Sequence, residues 1–269
     1  MGLYPIESLD DTRVAPYRNL KDRELARMGG LFLAEGEHVV RRLLASRFPT
    51  ESVLLARRRV QEIAPLVPEH VPVYAAADEL VHQIIGFKFH SGVIACGRRV
   101  PGPTLEQIVT PRERPLTLVI CPEIANTDNL GSLIRISAGF GADAMILGEH
   151  SCDPFWRQTI RVSMGTVFRL PIVRSDSLLN DLRRLRQDWA VELAATVLGP
   201  SAESLVDAGR SARLGILFGN EAQGLGEGYV AACDRRVTIP MKLGTDSLNV
   251  GVAAGVILYH FTSQFGSRC

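Results

Sequence analysis

The sequence predicts an α/β protein. Its second half reads as a parallel sheet with helices on both faces, and a smaller α/β module precedes it. Three observations carry this expectation. Runs such as LTLVIC (116–121) and LGILF (214–218) are apolar throughout rather than alternating, which marks strands buried on both faces. These runs alternate with stretches of helical periodicity, the rhythm of crossover connections. Between the halves, residues 99–114 (RVPGPTLEQIVTPRER) hold three prolines and no sustained apolar strand, so they read as a linker.

In chain order, a polar opening leads into an expected helix over 18–28, closed by Gly29-Gly30. Arg13, Arg18, Lys21, Arg23 and Arg27 give this segment a positive face, either solvated surface or a nucleic-acid arm. A strand is expected at 31–34. The helix over 37–44 places Val39, Val40, Leu43 and Leu44 on one face. Strand 52–56 ends at a basic cluster, Arg57-Arg58-Arg59. Strand 71–74, helix 78–85 and strand 92–96 complete the module. The expected division is thus an N-terminal arm plus small α/β domain over 1–98, a linker over 99–114 with one helical turn near 104–108, and a larger domain over 115–269.

The larger domain restarts the alternation. Strands are expected at 116–121, 144–147, 170–173, 190–194, 214–218 and 236–239. Helices are expected at 129–140, 156–164, 178–187 and 247–261. No internal repeat is visible.

Bulk properties restrict the function classes. The 269 residues are 46% apolar and 22% charged, so an ordered globular chain is expected. Net charge is +1, so any nucleic-acid surface must be a local patch. The five cysteines are dispersed and form no CxxC pair, which suits a reduced cytoplasmic setting. The acidic N-terminus lacks the apolar core of a signal peptide. The longest apolar run, 250–258, is too short to span a membrane. No HExxH, GxSxG or metal-ligand spacing occurs, so no metal is expected.

In an open parallel sheet, ligands bind beyond the carboxyl ends of the strands. Four such ends carry notable turns. After 116–121, Asn126, Thr127 and Asp128 suit a helix cap, Gly131 permits close approach, and Arg135 shares its face. A capped core helix with a surface arginine explains these equally well. After 190–194, Thr196, Val197, Leu198 and Gly199 form a turn with no functional signal of its own. After 214–218, the loop from Gly219 and Asn220 through Glu221 to Gly224 and Gly226 reads as a ligand loop. It lacks the dinucleotide fingerprint and the P-loop ending. After 236–239, Asp246 or Ser247 can cap the last helix. Capping does not account for Asn249 beside them.

Three stretches in order, NTDNLGSLIRISAGFGADAMIL, LFGNEAQGLGE and IPMKLGTDSLNVGVAAGVILYHF, resemble the motifs of the SpoU family of RNA 2′-O-ribose methyltransferases, within the SPOUT class. Ahead of them, FLAEGEHVV and HSGVIAC are similar to the small substrate-binding domain that often precedes this catalytic domain. The resemblance implies a deep trefoil knot at the carboxyl end of the sheet. It implies that S-adenosylmethionine binds the knot loops through Thr196, Leu198, Gly199, Gly219, Asn220, Gly224, Ile239, Met241 and Leu248. It implies that Arg135, Asn129, Glu221, Ser247 and Asn249 form the catalytic site. It also implies a homodimer through the knotted region, and the small residues Gly251, Ala253, Ala254 and Gly255 permit such packing.

The implied reaction is methyl transfer to a ribose 2′-OH of structured RNA, with rRNA favoured over tRNA. Arginine is essentially never deprotonated in proteins, so Arg135 is expected to bind phosphate and stabilise the forming alkoxide rather than act as base. Arg57–Arg59, Lys88 and the arginine-rich N-terminal segment are candidates to hold the RNA backbone. The alternative is a catalytically silent RNA-binding or ribosome-assembly protein with the same fold. A nicotinamide oxidoreductase is disfavoured by the missing fingerprint.

Overall fold

A computed structural model describes residues 2–18, 21–86, 90–199, 201–243 and 247–264. The chain forms two compact units, one of residues 1–101 with 154–169, the other of 102–153 with 170–269.

The first unit runs through β1 (Leu3–Pro5), α1 (Asp22–Arg27), β2 (Leu31–Glu35), α2 (Glu37–Leu44), β3 (Thr50–Ala56), α3 (Val60–Ile63), β4 (Val73–Ala76), α4 (Asp78–Ile85) and β5 (Val93–Arg98). Its five strands lie in the order β1-β4-β3-β5-β2. β1, β4 and β3 are parallel, while β5 pairs antiparallel with both β3 and β2. The N-terminal arm is part of this fold. β1 pairs with β4, and Ile6, Val14 and Tyr17 are buried, with the Tyr17 hydroxyl 2.6 Å from Ser52 Oγ. The basic cluster after β3 is largely spent within the unit. Arg58 pairs with Asp78, and Arg59 with Glu37 and Glu62. Lys88 lies outside the described residues.

The second unit contains α5 (Leu105–Val109), β6 (Leu116–Cys121), α6 (Thr127–Gly139) and β7 (Ala144–Leu147). α7 (Arg157–Val162) follows but belongs to the first unit. The second unit resumes with β8 (Ile172–Arg174), α8 (Leu178–Gln187), β9 (Glu192–Thr196), β10 (Glu203–Ser204), β11 (Arg213–Leu217), α9 (Glu227–Ala231), β12 (Arg235–Thr238) and α10 (Val250–Ser263). The seven strands are all parallel, in the order β10-β12-β9-β11-β6-β7-β8. Every residue of β6, β7 and β11 is buried, as expected of strands covered on both faces. α8 buries Leu178, Leu182 and Leu185, a stripe at helical spacing.

Two boundaries depart from the sequence expectation. The segment expected as linker is partly core. Thr104 caps α5 reciprocally with Gln107, and Leu105, Ile108 and Val109 are buried in the second unit. The stretch 154–169, expected within the larger domain, packs instead into the first unit. Phe155 and Phe168 meet Phe32 at centroid distances of 5.3 and 5.5 Å, and Phe48 at 5.3 and 5.7 Å. Arg42 also donates to the Met164 carbonyl. Four phenyl rings bury far more apolar surface together than apart, and two of them come from this insertion.

Candidate active site

Four loops expected to carry function leave one rim. β12, β9, β11 and β6 are consecutive parallel neighbours, so their carboxyl ends lie side by side. At this rim the Thr196 hydroxyl closing β9 donates to the Leu217 carbonyl closing β11, at 2.7 Å.

The loop after β6 ends at Asn126. Its Oδ1 accepts from the backbone N–H groups of Asp128 and Asn129, at 2.8 and 3.1 Å, and so starts α6. This fixes Asn129 in the first turn. Gly131 lies two residues on and is buried. Arg135 is exposed on the same helix and makes no hydrogen bond or ion pair among the described residues.

The loop after β11 is pinned on itself. Asn220 and Gly224 exchange two backbone hydrogen bonds of 2.8 and 2.9 Å. The Asn220 side chain donates to the Glu123 carbonyl at 2.9 Å and accepts from the Ala222 N–H at 2.9 Å. Gly219 has no room for a side chain. A Cβ there would lie 2.3 Å from the Gly224 carbonyl carbon and 2.5 Å from the Leu225 nitrogen. Gly224 has φ +69°, in the left-handed region open to glycine.

The last helix starts later than expected. Its cap is Asn249, not Ser247, because Asn249 Oδ1 accepts from the Gly251 N–H at 2.9 Å and helical geometry begins at Val250. Ser247 is exposed and lies two residues before that cap. Asp246, the other expected cap, lies outside the described residues.

Three expected site residues meet in a relay. Asn249 Nδ2 donates to Asn129 Oδ1 at 2.9 Å, and Asn129 Nδ2 donates to Glu221 Oε1 at 2.8 Å. The polarity of this chain is fixed at both ends. The Gly251 N–H can only donate, which turns Asn249 Oδ1 towards it and Nδ2 towards Asn129. A carboxylate at Glu221 can only accept, which demands Asn129 Nδ2. Each amide therefore has one orientation that satisfies both neighbours. Arg135 and Ser247 are not members of the relay.

The expected cofactor positions occupy the same rim. Leu198 is 65% exposed and Leu248 37%, while Ile239 and Met241 are half-buried. Gly199 has φ +118°, and no atom lies within 4 Å of where its Cβ would stand. Apolar side chains thus stand open to solvent beside backbone not covered by side chains. Thiol chemistry has no support here. Burial pushes the Cys121 thiol far above its usual range and the Cys152 thiol up to about 11, so both stay neutral near pH 7.

Residues 116–259 match the family model described as the SpoU rRNA Methylase family, more than half of the chain. The chain belongs to the SpoU family. An uncharacterized tRNA/rRNA methyltransferase of Mycobacterium bovis is 35% identical over 260 residues, 94% of this chain and 89% of that protein. The 23S rRNA (guanosine(2553)-2′-O)-methyltransferase RlmP of Bacillus subtilis is 25% identical, covering 95% of this chain and 98% of its own. Among solved structures, an AdoMet-bound rRNA methyltransferase from Sinorhizobium meliloti aligns with TM-score 0.84 at 25% identity, covering 98% of this chain and 99% of that one. As a SpoU member, the chain has its α/β fold and parallel sheet in common with these enzymes. The SpoU match spans the whole relay, from Asn129 through Glu221 to Asn249.

Proposed function

We propose that this SpoU-family chain transfers a methyl group from S-adenosylmethionine to a ribose 2′-OH in structured RNA, with rRNA the expected substrate. The observation that carries the reading is the relay from Asn249 through Asn129 to Glu221 at the carboxyl rim of four adjacent strands. The 2′-O specificity in the name of the Bacillus subtilis relative supports it, as does the AdoMet-bound Sinorhizobium meliloti structure.

The cofactor fits the rim on chemical grounds. An adenosine needs apolar contacts for its ring and backbone groups for its polar edge. Leu198, Leu248, Met241 and Ile239 offer the first, and the turns at Gly199, Gly219 and Gly224 the second. When bound, S-adenosylmethionine supplies a methyl group activated on a positive sulfur. The remaining work belongs to this chain. It must hold the ribose oxygen in line, because alignment is a major part of such a barrier. It must also stabilise the oxygen as charge develops. Arg135 is assigned that second role, together with binding of an adjacent phosphate. Its guanidinium keeps its proton, so the hydroxyl proton leaves to another acceptor. The relay holds α6 and α10 in register with the loop after β11, and Ser247 sits at the mouth of α10. The first unit is assigned to RNA binding. The protein is assigned to the cytoplasm, the trefoil knot to the rim loops, and a homodimer to α10.

The test is to map 2′-O-methylation in total RNA from cells with and without the protein. A site that disappears without the protein and returns with wild type, but not with Arg135→Lys, supports the reading. No change at any site overturns it. Near-wild-type transfer by Arg135→Lys would remove the need for a planar fork at that position.

A further inference from the structure

The insertion that leaves the catalytic sheet after β7 has an unusual charge. Residues 154–169 carry three arginines, Arg157, Arg161 and Arg169, and no aspartate or glutamate. The whole chain has a net charge of only +1, so this is a local concentration. Its short helix α7 begins beside the start of α1. The Arg157 N–H donates to Asp22 Oδ1 at 2.9 Å, and the Arg23 guanidinium stands 5.8 Å from the centre of the Trp156 ring. Both helices pack against β2.

The helical repeat then sets the pattern. Arg27 lies four residues after Arg23 on α1, and Arg161 four after Arg157 on α7, so each pair shares a face. Arg23, Arg27 and Arg161 are exposed, and Trp156 is half-exposed. The two carboxylates of α1 are occupied locally. Asp22 accepts from the Arg157 N–H, and Glu24 accepts from the Lys21 N–H at 3.0 Å in a capping box. An accessible indole with Arg23 beside it, on two helices that expose further arginines, combines a stacking surface for an unpaired base with phosphate-binding groups.

We propose that the α1–α7 face of the first unit, built on Arg23, Arg27, Trp156 and Arg161, is a docking surface for single-stranded or looped RNA. The proposal rests on the reading of the chain as an RNA methyltransferase and says which surface holds the substrate. Phosphates lie along the arginines and one base stacks on Trp156 beside Arg23. The Arg57–Arg59 cluster is the weaker candidate, because two of its members already hold carboxylates.

Two measurements test this on the full-length protein, using total rRNA and fragments of it as probe. The first is the salt dependence of binding. Arg27→Glu with Arg161→Glu should weaken binding by tenfold or more and lower the slope of log affinity against log salt by about 0.7 per lost phosphate contact. The Michaelis constant for RNA should rise while kcat and affinity for S-adenosylmethionine hold. Arg183→Glu, on α8 of the second unit, is the charge control and should change little. The second measurement keeps every arginine and reads Trp156 directly. The chain has two tryptophans, Trp156 and Trp189. In Trp189→Phe, RNA should quench the remaining fluorescence, and in Trp156→Phe it should not. Wild-type binding and turnover with unchanged values in the charge variants, or no quenching of Trp156, would overturn the docking surface and leave the methyltransferase reading standing. A wild-type protein that binds no RNA would overturn both.

Discussion

Asn249 uses one amide for two purposes. Its oxygen caps α10 and its nitrogen reaches Asn129. The two purposes separate by substitution. Asn249→Asp keeps an acceptor for the Gly251 N–H, so thermal stability should stay near wild type, whereas Asn249→Ala should cost about 0.5–2 kcal/mol as a lost cap. The introduced carboxylate cannot donate to Asn129, and Asn129 cannot reverse without turning its oxygen on the Glu221 carboxylate. Turnover should therefore fall by about tenfold or more, an alignment penalty of roughly 1.4 kcal/mol. Adding Glu221→Gln lets the whole relay reverse, with the new amide donating to Asn129 and Asn129 donating to the new aspartate. The double variant should be more active than Asn249→Asp alone. If it is less active, the charge of Glu221 matters more than the orientation it imposes. A second residue-scale case is structural. Arg213 is 7% exposed and donates to the carbonyls of Val109, Pro111, Arg114 and Trp189. Desolvation on burial lowers its pKa. Arg213→Met should cost about 3 kcal/mol, read as a lower urea midpoint, because several carbonyls lose their donor at once.

At the scale of elements, the loop after β11 makes the sharpest prediction. Gly219→Ala would force its methyl group into the Gly224–Leu225 backbone, a clash no side-chain rotation relieves. The loop must open, so affinity for S-adenosylmethionine should drop at least about tenfold, roughly 1.4 kcal/mol. The buried strands beneath should keep the melting temperature close to wild type, and calorimetry beside a thermal melt checks both. Elements with a helical apolar stripe or a continuous apolar run were legible in the sequence. Helices 37–44, 78–85 and 178–187 and strands 116–121 and 144–147 have the expected limits. The missed elements lack that signal. β1 is three exposed residues, β10 is two, and both are defined by the strand they pair with. The rim was legible because polar and glycine-rich turns follow apolar strands. The relay was not, because its bonds span 120 and 92 residues and depend on which strands are neighbours. The cap of α10 was misplaced because Ser247 and Asn249 are both good capping types and only the geometry chooses between them.

At the scale of the whole molecule, α10 is apolar on two sides. Ala254, Ile257, Leu258 and Phe261 are buried, and Gly251 brings the helix to 3.2 Å from Ser132 on α6, measured from its missing Cβ. Yet Val252, Val256 and Tyr259 are 54, 41 and 64% exposed, at spacings of four and three residues that form one stripe. A helix with apolar residues on two sides is normally covered on both. Continuous exposed apolar surface of this kind marks an association site. A second copy of the chain is the proposed cover, because a two-fold axis lets one stripe meet itself. Val256→Glu with Tyr259→Lys would place charges in that contact and leave the buried face untouched. Light scattering at micromolar concentration should then read a dimer for wild type and a monomer for the double variant, with unchanged helicity. A monomeric wild type would remove the second copy as the cover of α10. The relay would be unaffected by that outcome, because Asn249, Asn129 and Glu221 all come from one chain.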